Sequence, residues 1–588
     1  MAEAQVPSKE SSPASVIPQK RALEDDHAPA VSSPLNPDTS SSKGRTTKDK
    51  APIHREPREK KESLKKREAK GTSTAAESRG TPDRSVAGGS KQDLSTDPTP
   101  SSAAPLRYKL PPPKPTDFAV PRGPVFSPHH TKAVVGGQDV QFYESSEHVY
   151  NRKGFRYTHC IADPAFPSSF YYRQSETEPF TPRINFEDTS SHLLFDEPGT
   201  QMTTAKGFRL ARANVGVREG RWYWECKITS GIRPPDATNA HKEEPRGHVR
   251  VGWARREASL DAPVGFDAYS YGLRDVGGQK MHMSRPKDFF PVSTDINEGD
   301  VIGLEISLPS LPLHRKVVEG HYNPAVDLSE TSVTDDDTSA PDIIRDRVPI
   351  RYKAHLYFEQ FEYAPTKDLE DLFNPTISSS SSSHQAPHPT HASVPLRTLP
   401  NSSITVYKNG ARIGTPFTDL LAFLPPASKP LAQVGARDGL DDGMLGYFPA
   451  ISVFRGGAAQ ANFGPHFWFP PPELEDVDMK ASSASANPAT TTATNVPLRP
   501  VSDRYAEQIA EDILYDVIDE VDFWLQDGAS TERTHAVGDA APTVLGPVDP
   551  AAPGVEAELT DGVGGGGVGV GVATQAGAEI KEVVQEEE

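Results

Sequence analysis

Hydrophobic alternation with a period of two marks the centre of this chain. In residues 221–228, RWYWECKI, Trp222, Trp224, Cys226 and Ile228 fall on one face and Tyr223, Glu225 and Lys227 on the other, the signature of a strand. In HVRVGWA, Val249, Val251 and Trp253 share a face, so His248, Arg250 and Gly252 share the opposite one. If the valines enter a core, Arg250 points away from it. GDVIGLEISL, KAHLYFEQ and YFPAISVF predict further strands. SSITVYKNGARIG predicts a hairpin, because Asn409-Gly410 accepts the positive φ that a two-residue turn demands. AQANFGPHFWFPPP closes the β region at prolines 470–472.

A different period appears after residue 501. In SDRYAEQIAEDILYDVIDEVDFWLQDG, Ala506, Ile509, Ala510, Ile513, Leu514, Val517, Val521 and Trp524 recur at three- and four-residue steps. Glu507, Glu511, Asp512, Asp519 and Asp522 lie largely elsewhere. This predicts an amphipathic helix over 502–527, capped by Ser502 or Asp503 and stopped at Gly528, its acidic face in solvent. A polar linker at 473–501 separates it from the strands. Alone it is marginal, so its stripe calls either for the chain's own sandwich or for a partner's apolar groove.

The remaining segments carry less pattern. Residues 1–105 are Ser-, Pro- and charge-rich with few aromatics and read as a disordered tail, as do residues 528–588. Residues 106–182 mix prolines with aromatics such as Phe142, Tyr157 and Tyr171, and read as an irregular strap over the domain. Within the β region 183–472, stretches at about 309–350 and 375–400 lack periodicity and read as disordered insertions.

Composition supports that division. The 588 residues include 44 glycines and 57 prolines with only 35% hydrophobic residues, too few to bury the whole chain. The net charge is −19, yet residues 43–70 hold twelve Lys or Arg against five acids. That basic arm reads as an import signal or solvated charge, with contact to nucleosomal DNA phosphates as the sharper alternative. Two separated cysteines, Cys160 and Cys226, offer neither a disulfide framework nor a zinc site. No apolar run reaches the ~20 residues of a bilayer span, so a soluble intracellular protein without membrane contact is expected. The chain carries no nucleophile elbow, HExxH or phosphate loop, and no cofactor is expected.

Binding chemistry is better represented. Arg250 and Arg274, near Pro263 and Phe266, suit an acidic peptide with an apolar anchor, because guanidinium pairs bidentately with carboxylate while a ring supplies buried area. Solvated rim arginines beside an ordinary core phenylalanine are an equally ready reading of the same residues.

GFRLARANVGVREGRWYWECKI, RVGWA, APVGFDAYSYGLR, GDVIGLEISL, YKNG, YFPAISVF and NFGP together resemble a SPRY domain, an antiparallel β-sandwich. More narrowly, they resemble the Ash-type SPRY subunit of COMPASS-type histone H3 lysine methyltransferase complexes, with long insertions suggesting a fungal-type member. The resemblance spans roughly residues 200–310, 350–365 and 402–472. It implies a nuclear, non-catalytic scaffold and activator of a SET-domain subunit. Its pocket for a WD-repeat subunit of the retinoblastoma-binding-protein-five type would comprise Phe208, Arg250, Pro263, Phe266 and Arg274. Phe208 and Phe266 replace tyrosines of animal relatives. The helix, with AEDILYDVIDEVD, resembles the segment that docks into a Dumpy-thirty-type helical dimer, here through Ile509, Ile513, Leu514, Val517 and Val521. A SPRY substrate adaptor for ubiquitin ligation is the alternative, although it would leave the helix unexplained. An enzyme with an unrecognised site is the third class, and methyl transfer by the protein without partners would favour it.

Overall fold

The computed structural model describes residues 104–535 apart from internal stretches, the longest being 235–246, 328–342, 375–384 and 475–495, together with residues 582–583. The basic arm, most of the N-terminal tail and nearly all of the C-terminal tail lie outside the described residues.

Two antiparallel sheets form the sandwich. The larger runs in the order Val125–Val135, Gln138–Ser146, Leu194–Phe195, Gln201–Thr203, Ala458–Asn462, Gly220–Ser230, Val301–Leu308, Ser403–Lys408 and Ala411–Thr418. The second orders Arg285–Lys287, Gln279–His282, Ser270–Arg274, His248–Ala254, Phe448–Phe454, Arg209–Ala213 and Ile184–Thr189. The predicted alternation holds at its centre. Trp222, Trp224, Cys226 and Ile228 from one sheet and Val249, Val251 and Trp253 from the other enter one core. Trp224 and Trp253 meet edge to face across the interface, centroids 6.2 Å apart. Asn409 and Gly410 take φ of 50° and 83°, the double left-handed turn the Asn-Gly pair predicts.

The strap expectation for 106–182 needs correction. Val125–Val135 and Gln138–Ser146 form a hairpin extending the larger sheet, and Phe155–Ala162 pairs with His355–Phe361 and Tyr172–Gln174. With Arg347–Tyr352 on the far side of His355–Phe361, these strands build a third sheet with its own cores around Tyr157 and Tyr357 and around Cys160 and Phe358. The prolines fall between the strands or at the bulge beside Pro128, where no ladder donor is needed.

Both insertions are also partly built into the core. Leu311–Glu319 is a helix that buries His314, Val317 and Val318 at three- and four-residue spacing. The His314 Nε2 accepts hydrogen bonds from the backbone N–H groups of Phe423 and Leu424, at 3.1 and 3.3 Å. In the second insertion, Leu396 and Leu399 are fully buried, and Arg397 donates to the carbonyls of Val317 and Val318 at the helix's C-terminal end. Such short elements hold too few residues for a period to emerge, and their order comes from what they touch.

The linker and helix bounds change as well. Leu498–Pro500 pairs parallel with Arg221–Tyr223, and the helix follows at once, spanning Val501–His535. Val501 is wholly buried. Neither predicted cap forms the start; instead the Ser502 N–H donates to the Phe463 carbonyl at 2.9 Å. Gly528 does not end the helix, in keeping with the cost of about 1 kcal/mol that one glycine imposes on a helix interior.

Candidate functional site

The outer face of the second sheet positions the arginines. Because Val249, Val251 and Trp253 fill the core, Arg250 projects outward. Antiparallel register sets Arg274 directly opposite it on one side and Ser452 on the other. The next outward positions along the strands are Gly252 and Gly272, where a Cβ would lie 1.9 Å from the Tyr271 carbonyl oxygen and 2.9 Å from a Val264 methyl, respectively. These bare positions make a hollow that the loop 258–269 fills. Val264 is fully buried there, its N–H donating to the Ser452 Oγ at 3.0 Å. The APVGF segment is thus pinned beside Arg250.

Arg250 stacks its guanidinium on the Phe208 ring, 4.9 Å from the centroid, and Phe208 packs in turn on Phe454 at 4.8 Å. Its Nε is buried without a hydrogen-bond partner. Arg274 donates to Gln279 at 3.5 Å. Asp275, whose charge acts on Arg250, is already engaged by the His248 ring at 2.9 Å and by the N–H groups of Val249 and Val276. Among the described residues, no carboxylate forms a salt bridge with Arg250 or Arg274. Burial, reinforced by the like charge of Arg274, pushes the Arg250 pKa down to about 10. The pair therefore forms a cationic, aromatic-walled site without a carboxylate partner among the described residues.

Arg250, Arg274 and Phe208 lie together on this face. Pro263 and Phe266 lie on the pinned loop, the Phe266 N–H donating to the Pro263 carbonyl at 3.0 Å. Phe266 is no ordinary core residue: it is 40% exposed and leans on Phe373, ring centroids 5.6 Å apart. Sequence reasoning misses Phe454 and Phe373. Strand parity in YFPAISVF would have put Phe454 on the face of Ser452, whereas nothing in the sequence brings Phe373 to Phe266.

The helix corrects the expectation of a solvated acidic face. Its N-terminal turns enter the core through Val501 and Tyr505, with Ile509 half-buried behind them. Further along it is the acidic face that is buried, against the third sheet. Asp516 accepts from Arg345 at 3.0 Å, from the Gln174 N–H at 3.0 Å, and from Arg347. Asp519 accepts from Arg345 and Arg347 at 2.8 and 2.9 Å, and Glu520 from Arg173 at 3.1 Å. Solvation of Asp512 and Asp519 was the expectation, but both are buried. The arginines that draw them in lie far upstream in the chain, beyond reach of any local pattern. Ile513, Leu514, Val517, Val521, Trp524 and Leu525 are left 44–68% exposed along one ridge. Ile509, grouped with the docking residues, instead faces the core.

Sheet order, loop cover and appended helix define a SPRY-type sandwich carrying an outward apolar ridge. No family model matches the sequence. Over 546 residues it is 57% identical to the COMPASS component cclA of Colletotrichum higginsianum, covering 90% of this chain and 93% of that protein. It is 41% identical over 422 residues to the Set1 complex component ash2 of Schizosaccharomyces pombe, covering 71% of this chain and 52% of the relative. It is 26% identical to the Saccharomyces cerevisiae COMPASS component BRE2, covering 67% and 92%. A solved human SPRY domain aligns over 47% of this chain and 98% of its own length at a TM-score of 0.22 and 13% identity, too weak to add to the topology. The chain belongs to the Ash2 family of COMPASS components.

Proposed function

We propose that this protein is a non-catalytic scaffold and activator subunit of a nuclear histone H3 lysine methyltransferase complex. The observation that carries the reading is the helix that buries its charged face and turns six large apolar side chains outward. A monomeric soluble protein gains nothing from such a ridge, whereas a partner's groove would bury it. A Dumpy-thirty-type helical dimer fits that surface. The pair Arg250 and Arg274, with Phe208 and the Pro263–Phe266 loop, suits an acidic segment with an apolar anchor from a WD-repeat subunit of the retinoblastoma-binding-protein-five type. Holding both partners restricts the SET-domain subunit to its active conformation and raises turnover by population shift. The basic arm 43–70 supplies import and, as a further proposal, contact with nucleosomal DNA.

Reconstitution tests the reading. The full chain should form a complex with both partners and stimulate the SET-domain subunit. Arg250→Ala with Arg274→Ala should release the WD-repeat partner, and Ile513→Glu with Val517→Glu should release the helical dimer. Unchanged capture by either double variant refutes the corresponding assignment, and methyl transfer by the chain alone refutes the non-catalytic role.

A further inference from the structure

The helix does not present its ridge alone. Beside its N-terminal turns lies a groove of about 610 Å3, walled by Glu176 and Phe180 from the segment after Tyr172–Gln174 and by Tyr505, Ile509, Asp512 and Ile513 from the helix. Phe180 is 56% exposed, although a solvated turn has no use for a phenylalanine. Ile513 belongs to both surfaces: it lines the groove and begins the ridge that continues to Leu525. Anything seated on the ridge passes the groove's mouth.

The polar wall has a character of its own. Asp512 is buried and accepts from the Gln174 side chain at 2.8 Å; Glu176 accepts from the Tyr505 hydroxyl. Among the described residues, neither carboxylate has a cation within salt-bridge distance, although Arg345 and Arg347 act on Asp512, and Arg183 and the His159 ring on Glu176, from further away. Burial pushes the Asp512 carboxyl up to about 7 and raises that of Glu176. The slot is thus apolar on its outer side and holds, on its inner side, two carboxylates without a direct ion pair among the described residues.

We infer that the groove is the second half of the seat for the helical partner, receiving from one of that partner's helices an apolar side chain flanked by a Lys or Arg. The apolar group packs between Phe180, Ile509 and Ile513, while the cation pairs with Asp512 and Glu176. This rests on the proposed reading of the ridge and goes beyond it. Docking becomes a contact with the folded domain, so the third-sheet strand and the turn after it select the partner together with the helix.

The test uses the full chain and the purified Dumpy-thirty-type dimer in binding titrations. Phe180→Ala and Asp512→Asn should each weaken binding about tenfold, with a smaller salt dependence for Asp512→Asn. Both positions tolerate these changes in the free protein, because Phe180 is exposed and an amide removes a poorly paired buried charge. Val517→Glu with Val521→Glu, remote from the groove, should abolish binding. If only this ridge variant fails, the groove is not part of the seat while the ridge reading stands. If the ridge variant binds normally, both fall. A photo-crosslinker at position 180 should label the dimer; labelling of the chain itself or of a second copy overturns the inference.

Discussion

Arg250→Met should make the isolated protein more stable and the complex weaker. In the folded chain Arg250 is half-buried, lies beside the like charge of Arg274, and has a buried Nε without a partner. Burial, with the Arg274 charge beside it, lowers its pKa to about 10. At about 1.36 kcal/mol per pKa unit, full weight would give roughly 3 kcal/mol. Residual solvent contact screens part of this, leaving about 1–2 kcal/mol. For a base with a depressed folded pKa, the penalty is fully present below pH 10 and is relieved only between about pH 10 and the unfolded value. At neutral pH the charge therefore works against the fold throughout. Methionine keeps the packing on Phe208 and removes that charge. Urea denaturation without partners should show a higher midpoint at unchanged slope. Titration with the WD-repeat partner should show binding weaker by about 2–5 kcal/mol, the cost of leaving a partner carboxylate buried and unpaired. A lower midpoint together with normal affinity would make Arg250 a structural residue and refute the reasoning.

Two predictions concern the seating of the helix. Asp516→Ala strands Arg345 and Arg347 with Asp519 as their remaining direct partner and should cost about 3–5 kcal/mol, read as lost hydrogen-exchange protection over the helix; protection like that of the wild type would show that the ion pairs add little. Asp512 and Glu520 both have carboxyls raised to about 7, mainly by burial, so their contribution to seating is fully present below their unfolded pKa values and is lost as pH rises to the folded value near 7. Helix protection should accordingly fall between about pH 4 and 7 in the wild type and fall less in Asp512→Asn with Glu520→Gln, where Asp519, also raised by burial, keeps part of the slope; a slope as steep in the double variant as in the wild type would exclude these groups as its source.

The sandwich is legible because its information is local. A period of two in RWYWECKI and HVRVGWA determines which side chains enter the core, and the same parity sends Arg250 outward. Asn409-Gly410 likewise specifies its turn by φ alone. The pair Arg250 and Arg274 is also readable, since strand parity and the antiparallel pairing of two strands joined by the loop 255–269 bring them together. What escapes is everything decided by distant residues. The strands at 125–162 and the helix at 311–319 are stabilised by elements far along the chain, so the prolines of the first read as an irregular strap and the short period of the second as disorder. The helix itself shows the division most clearly. Its amphipathic repeat determines that it is a helix with one greasy side. Which side meets the domain is set by Arg173, Arg345 and Arg347, whose clustered guanidinium groups draw the acidic face inward and leave the greasy one for another molecule. Periodicity encodes a contrast between two faces. Only the charges that tertiary folding places opposite them choose the one that is buried.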